Sequence, residues 1–232
     1  ERVEELQSPR KLTYELQNKK ADFFATGLIA KDGAYQYTVV SNSWTLENVT
    51  LNMGGLHNVE NSLAAIAIAH ELGIEDNRIR EAVSAFKGVK RRFEYKLVTD
   101  RFTYVDDYAH HPEELKALIN GARDMFRGKK CTVIFQPHLF SRTRDFVKGF
   151  AESLDLADEV ILLPIYPARE EPIPGVESKM ISDLMKKSNR VMENKESVLQ
   201  WIDEHEPELL ITAGAGDIDQ LTEKITNTLR NK

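Results

Sequence analysis

The 232-residue chain is 41% hydrophobic and 29% charged, with a net charge of −6 and 1 cysteine. That balance fits one large globular domain or two moderate ones, and it excludes a generally basic nucleic-acid binder and a disulfide framework. No apolar run approaches the roughly 18 residues a membrane span needs, and residues 1–10 (ERVEELQSPR) hold no signal-peptide core, so the expected compartment is the reducing cytoplasm.

Residues 21–53 read as extended. ADFFATGLIA (21–30), AYQYTVVS (34–41) and LENVTLNM (46–53) are β-rich, and Asp32-Gly33 is a hairpin signal between the first two. The period then changes. Residues 58–72 carry a helical apolar stripe with Gly73 as the stop, and 76–87 form a second helix with Ile79, Val83 and Phe86 on one face. GVKRRF (88–93) reads as a short linker, suited to a hinge. From Phe93 onward strand and helix alternate. Strands are expected at Phe102–Val105, Cys131–Phe135, Val160–Leu163 and Leu209–Thr212, and helices at 112–126, 142–156, 178–187, 196–204 and 217–229. Pro112 suits a first helical position, with Glu113 and Glu114 in the first turn. Cys131 opens an apolar run and reads as buried. The fold class is α/β: a Rossmann-like, mostly parallel sheet with helices on both faces, preceded by a β-rich and helical segment. Such sheets bind ligands beyond the C-terminal ends of their strands.

The residue types that can do chemistry cluster at such ends. Gly54-Gly55-Leu56-His57-Asn58-Val59-Glu60-Asn61 joins a β segment to a helix. An asparagine amide can pair with adenine N6 and N7 and an imidazole can stack on a purine, but Asn58 or Asn61 can equally cap the helix. Arg91 and Arg92 suit either a phosphate clamp or a solvated basic linker. Asp106-Asp107-Tyr108-Ala109-His110-His111 packs two carboxylates, a phenol and two imidazoles between a strand and a helix. One carboxylate suits a ribose hydroxyl, and His110 suits substrate orientation or proton transfer. Adjacent histidines seldom face one metal, so no metal site is assigned. Gln136-Pro137-His138-Leu139-Phe140-Ser141-Arg142-Thr143-Arg144 also follows a strand. Ser141 or Thr143 suits a cap, Arg142 a carboxylate or phosphate, and Arg144 a ligand or a surface acid. Ala213-Gly214-Ala215-Gly216-Asp217 reads as a tight strand-to-helix turn capped by Asp217. No GxxxxGK[ST] phosphate loop occurs anywhere in the chain.

Taken in order, GLHNVENSLAAIAIA, GVKRRFE, DDYAHHPEE, FQPHLFSRTRDF, EEPIPGV (170–176) and ITAGAGD resemble the Mur ligase family across about residues 50–217. The resemblance implies the tail of a central ATPase domain over 1–89 and a C-terminal Rossmann-like domain over 90–232. A lysine-bearing phosphate loop and magnesium-binding acids are expected upstream of Glu1. The pairing of DDYAHHP with FQPHLFSRT is most similar to members that join L-alanine to UDP-N-acetylmuramate through an acyl phosphate. A tripeptide-recycling member and a non-catalytic adenine-nucleotide module remain the alternatives. The implied cofactors are ATP and Mg2+, and the implied partners are small molecules, with neither nucleic acid nor membrane. Carried over by position, His57, Asn58 and Asn61 meet adenine, Arg91 and Arg92 the nucleotide phosphates, and Asp106 or Asp107 the ribose. Tyr108, His110, His111, His138, Arg142 and Arg144 meet substrate, with Tyr108, His110 and Arg142 nearest the chemistry. Many members have arginine where this chain has Leu139, so a substrate contact there is lost or passes to Arg144. For the chain alone, these expectations add up to weak ATP affinity, no ligation, and self-association or partial disorder within residues 1–55 through an open sheet edge.

Overall fold

The computed structural model describes residues 11–31, 33–191 and 194–232. Residues 1–10, and Asp32 of the expected hairpin signal, lie outside the described residues. The chain forms two compact units, Glu1–Lys87 and Gly88–Lys232.

The first unit holds a 4-stranded sheet of β1 (Tyr14–Glu15), β2 (Phe23–Lys31), β3 (Ala34–Ser41) and β4 (Thr45–Leu51), in that spatial order. β2, β3 and β4 pair antiparallel and β1 runs parallel to β2. Period-2 alternation sets the buried face: Tyr35, Tyr37 and Val39 on β3 meet Leu46, Val49 and Leu51 on β4. The helices α1 (Leu56–Glu71) and α2 (Asp76–Ala85) follow. On α1, Val59, Leu63, Ile66 and Ala67 are buried at helical spacing, while Ile68 and Leu72 lie 62% and 74% exposed on its other side. Gly73, at φ 73°, ends that helix in the left-handed conformation the sequence anticipates. Trp44 stacks on His70 with ring centroids 4.0 Å apart and donates its indole N–H to Asp76.

The second unit holds a 6-stranded sheet in the order β5-β6-β10-β7-β8-β9. Its strands are β5 (Glu94–Val98), β6 (Thr103–Asp107), β7 (Cys131–Phe135), β8 (Glu159–Leu162), β9 (Ser188–Val191) and β10 (Leu209–Ala213). Only β5 is antiparallel to its neighbour. Neither β5 nor β9 is expected from the sequence. β5 interrupts its alternation with a bulge between Tyr95 and Leu97, and β9 is a short polar edge strand. The helices are α3 (Pro112–Met125), α4 (Phe140–Leu154), α5 (Lys179–Ser182), α6 (Lys195–Glu204) and α7 (Thr222–Arg230). The helix expected over 178–187 shrinks to the four residues of α5, and the one expected over 217–229 opens instead as a 3-10 turn at Asp217–Leu221.

The sheet is covered on both faces. Tyr104, Ile134, Ile161 and Leu210 pack with Val198, Trp201 and Ile202 of α6 and Ile225 and Leu229 of α7. The alternate residues face the other way, where Phe135 meets Phe150 of α4 at 5.4 Å. There α3 and α4 approach closely: a Cβ on Gly149 would lie 3.0 Å from Pro112, and Ser153 donates to the Pro112 carbonyl at 2.9 Å. Cys131 is fully buried, and burial pushes its thiol up to about 12.

Ile134 lies at the centre of the face covered by α6 and α7. Ile134→Ala should cost about 3 kcal/mol, read as a lower urea midpoint at unchanged slope. A loss below about 1 kcal/mol would show that this face is not the closely packed core described here.

Candidate active site at the strand ends

Parallel register brings the candidate residues together. Ala213, the last residue of β10, pairs with Asp107 of β6 on one side and Phe135 of β7 on the other. The three strands therefore end level, and their loops open onto one edge. Because β10 inserts between β6 and β7, the loops after β6 and β7 leave toward α3 and α4 across the glycine turn that follows β10. This is the topological switch point where open α/β sheets take ligands.

Asp107 closes the β6 loop. Its carboxylate accepts the Ala109 and Phe93 amides, each at 2.7 Å. The His110 and His111 amides donate to Glu114 at 2.9 and 3.2 Å, as a capping box would, with Pro112 at the first helical position. His110 Nδ1 lies 3.0 Å from the Tyr108 carbonyl and 3.3 Å from the Glu114 carboxylate. Both are acceptors, so Nδ1 carries a hydrogen. Tyr108 is 41% exposed with its ring edge-on to His110 at 5.3 Å. Glu114 is thus a site residue that the sequence identified only as a first-turn acid; its signal was its place three residues after the cap.

The β7 loop brings His138 within 6.0 Å of the His110 ring and stacks it on Tyr166 at 5.8 Å. Burial, then the neighbouring Arg142 charge and His110, hold the His138 imidazole below its usual proton affinity, so it is neutral near pH 7. His138 Nδ1 and Arg142 Nη1 are both buried and make no hydrogen bond, as is also true of Arg91 Nε and Trp201 Nε1 elsewhere in this unit. Such orphans are rare in packed proteins and point at a missing acceptor. Leu139 begins α4 at φ 70°, a strained conformation for a leucine. Neither Ser141 nor Thr143 caps that helix as expected, since both fall inside it. Ser141 donates to Glu170, and Thr143 bonds back to the Leu139 carbonyl. Arg144 is exposed and pairs with Asp145 at 2.8 Å. His111 turns its ring to Phe146, 4.8 Å away.

In the glycine turn after β10, Gly214 sits at φ 147°, and a Cβ there would meet the Gln136 carbonyl at 2.6 Å. Asp217 does not cap the helix. It accepts from Gln136 at 2.9 Å and pairs with Lys195 at 2.6 Å, which holds its carboxyl below the usual range despite burial. A cavity of about 430 Å3 opens beside Tyr166, lined by Gln136, Asn194, Lys195 and Asp217 among others.

Two assignments implied by the resemblance change. Asp106 is 1% exposed and faces inward, where Thr212 donates to it at 2.6 Å, so it cannot reach a ribose; Asp107 alone stays near the surface. Arg91 also turns inward, onto the carbonyls of Gly214 and Gly216, leaving Arg92 as the exposed arginine of the pair. The segment from Arg91 to Phe93 is thereby fastened to the second unit and is not a free linker.

In the first unit, α1 is preceded by Gly55 at φ 86° and carries no side-chain cap. Asn58 donates to the Gly54 carbonyl at 2.7 Å, and His57 folds back over Gly55, whose added Cβ would meet the ring at 2.6 Å. Asn61 is exposed, one turn beyond His57. The capping alternative is not what these asparagines do. Among the described residues no group of three or more His, Cys, Asp or Glu is arranged to hold a metal ion.

Two measurements test this geometry. Gly214→Ala should lower stability by about 2 kcal/mol or more, because the methyl group meets backbone; a neutral result on thermal melting would contradict the close approach. Burial raises the Asp106 carboxyl to about 6 from 3.8, so the folded state holds that proton more tightly than the unfolded chain. Stability supplied by the protonated form is therefore lost as pH rises from about 4 to about 6. Asp106→Asn should gain on the parent across that window in urea midpoints, and a constant difference would contradict a buried carboxyl.

Residues 91–216 match the Mur ligase glutamate ligase domain, and residues 1–69 match the Mur ligase middle domain. The chain is 45% identical over 210 residues to the UDP-N-acetylmuramate–L-alanine ligase of Porphyromonas gingivalis, covering 90% of this chain and 46% of that protein. The corresponding ligase of Cytophaga hutchinsonii is 43% identical over 209 residues, covering 90% and 45%. Among solved structures, the UDP-N-acetylmuramate–alanine ligase of Thermotoga maritima superposes with a TM-score of 0.79 at 28% identity, covering 95% of this chain and 48% of that one. A murein peptide ligase of Psychrobacter arcticus gives 0.55 at 26% identity, covering 95% and 46%. The chain spans about half the length of the curated relatives it matches. With two family domains matched in order and a C-terminal fold shared with solved members, the chain belongs to the Mur ligase family.

Proposed function

We propose that this chain supplies the tail of the ATP-binding domain (residues 1–89) and the C-terminal domain (90–232) of an ATP-dependent ligase that joins L-alanine to UDP-N-acetylmuramate in peptidoglycan precursor synthesis. The observation that carries the reading is that His138 Nδ1 and Arg142 Nη1 are buried without partners, with the His110 ring 6.0 Å from that of His138. An amino acid offers the matching groups: a carboxylate acceptor for Arg142 and an amine that must lose a proton before it can attack.

ATP gives its γ-phosphoryl group to the lactyl carboxylate, forming an acyl phosphate. The L-alanine nitrogen then attacks the acyl carbon and inorganic phosphate leaves. The chain's own residues act chiefly by positioning and charge placement. His57, Asn58 and Asn61 hold adenine, Asp107 the ribose and Arg92 a phosphate. Arg142, with His138 beside it, holds the amino-acid carboxylate as a charge-assisted pair. His110, its Nδ1 hydrogen fixed by Tyr108 and Glu114, presents Nε2 to take the amine proton. Tyr108 walls the site. His111 packs on Phe146 and serves the loop's shape.

The test is phosphate release by the full-length enzyme with ATP, magnesium and UDP-N-acetylmuramate. The expected result is release that depends on L-alanine, and none from residues 1–232 alone. Release with a tripeptide in place of L-alanine would move the protein to the recycling ligases. Silence with both would leave a nucleotide-binding module.

A further inference from the structure

Arg91 is the most heavily engaged charged side chain at the strand ends, yet the proposed reaction gives it no role. Its side chain is 14% exposed. One terminal nitrogen donates to the Gly214 carbonyl, and the other to the Gly216 carbonyl at 3.4 Å. Nε, buried without a hydrogen bond, lies 3.6 Å from the Asp106 carboxylate, and Nη1 lies 3.6 Å from that of Asp219. Its guanidinium carbon stands 5.0 Å from the centre of the Tyr108 ring. The backbone is held as firmly. Arg91 sits at φ 58° with its amide on Glu94 at 2.8 Å, and its carbonyl accepts the Tyr108 amide at 2.8 Å. Phe93 sits at φ 47° with its amide on Asp107. Non-glycine residues keep left-handed backbone only where the surroundings over-determine it.

We propose that Arg91 is a positioning residue: it clamps the loop after β6 to the glycine turn after β10, so that Tyr108 and His110 stand where the reaction needs them, and it takes no nucleotide phosphate. This rests on the ligase reading for its kinetic consequence and on geometry alone for the clamp. Two backbone carbonyls already use its paired N–H groups, and two carboxylates offset its charge. The planar fork explains why an arginine is needed, since a lysine ammonium cannot reach both carbonyls and the Tyr108 face together. Asp106 is fixed in turn by Thr212, which also meets the Tyr104 hydroxyl at 3.0 Å, so the clamp is anchored in the sheet itself.

The test is Arg91→Lys in the full-length enzyme, followed by steady-state kinetics and by hydrogen exchange without substrate. We expect kcat to fall about tenfold or more while KM for ATP stays within about twofold. Amides of 107–111 and of 214–217 should lose protection together, although both segments are remote in sequence from position 91. Asp219→Asn, at the exposed end of the socket, should loosen the same segments to a smaller degree and guards against a variant that fails to fold. A raised KM for ATP with unchanged kcat would make Arg91 a phosphate contact and overturn the proposal. Unchanged exchange in either segment would overturn the clamp. A parent enzyme with no L-alanine-dependent phosphate release would sink the ligase reading alone, with exchange still deciding for or against the clamp.

Discussion

Everything at the candidate site depends on one hydrogen-bond register. β10 enters the sheet between β6 and β7 with Ala213 level with both Asp107 and Phe135. Slip that pairing by one residue and every side chain on β10 changes face. Thr212 would leave Asp106, and the glycine turn would leave Gln136 and Arg91. The level ends also explain the glycines: Gly214 passes so near the Gln136 carbonyl that no side chain fits.

Polar groups under that turn form a continuous chain from Tyr104 through Thr212 and Asp106 to Arg91. Burying a carboxylate is costly, and the raised proton affinity of Asp106 reflects it. The chain has a different use from stability. It ties the strand interior to the loop after β6, the glycine turn after β10 and the incoming segment at Arg91. By contrast, Glu114 stabilises its loop at little cost, because it accepts amides that the start of α3 would otherwise leave free.

Much of this was legible in the sequence. The central strands β6, β7, β8 and β10 are short apolar runs followed by polar clusters, and that pattern survives because buried parallel strands must be apolar on both faces. The polar cluster before α1 was legible as a cluster, but spacing alone favoured helix capping there, and Asn58 instead bonds back to the Gly54 carbonyl. What was not legible depends on contacts distant in sequence. Arg91 and Arg92 are chemically identical neighbours; only the fold turns one inward. The same holds for Asp106 and Asp107, where period 2 guarantees opposite faces but not which one is buried. β5 and β9 are the two edge strands, and an edge strand needs less apolar surface to announce it. His138 and Arg142 looked like candidates by type, but their missing partners appear only in three dimensions.

Those missing partners are also where the functional account is most exposed. If an amino-acid carboxylate completes them, the affinity lost on disturbing Arg142 must be affinity for the amino acid and not for the nucleotide. The most direct measurement is KM for L-alanine and for ATP in the full-length enzyme carrying Arg142→Lys, where the charge stays and the forked geometry goes. The account predicts a rise in KM for L-alanine of about tenfold or more with KM for ATP little changed. An unchanged KM for L-alanine, or a rise confined to ATP, would contradict it.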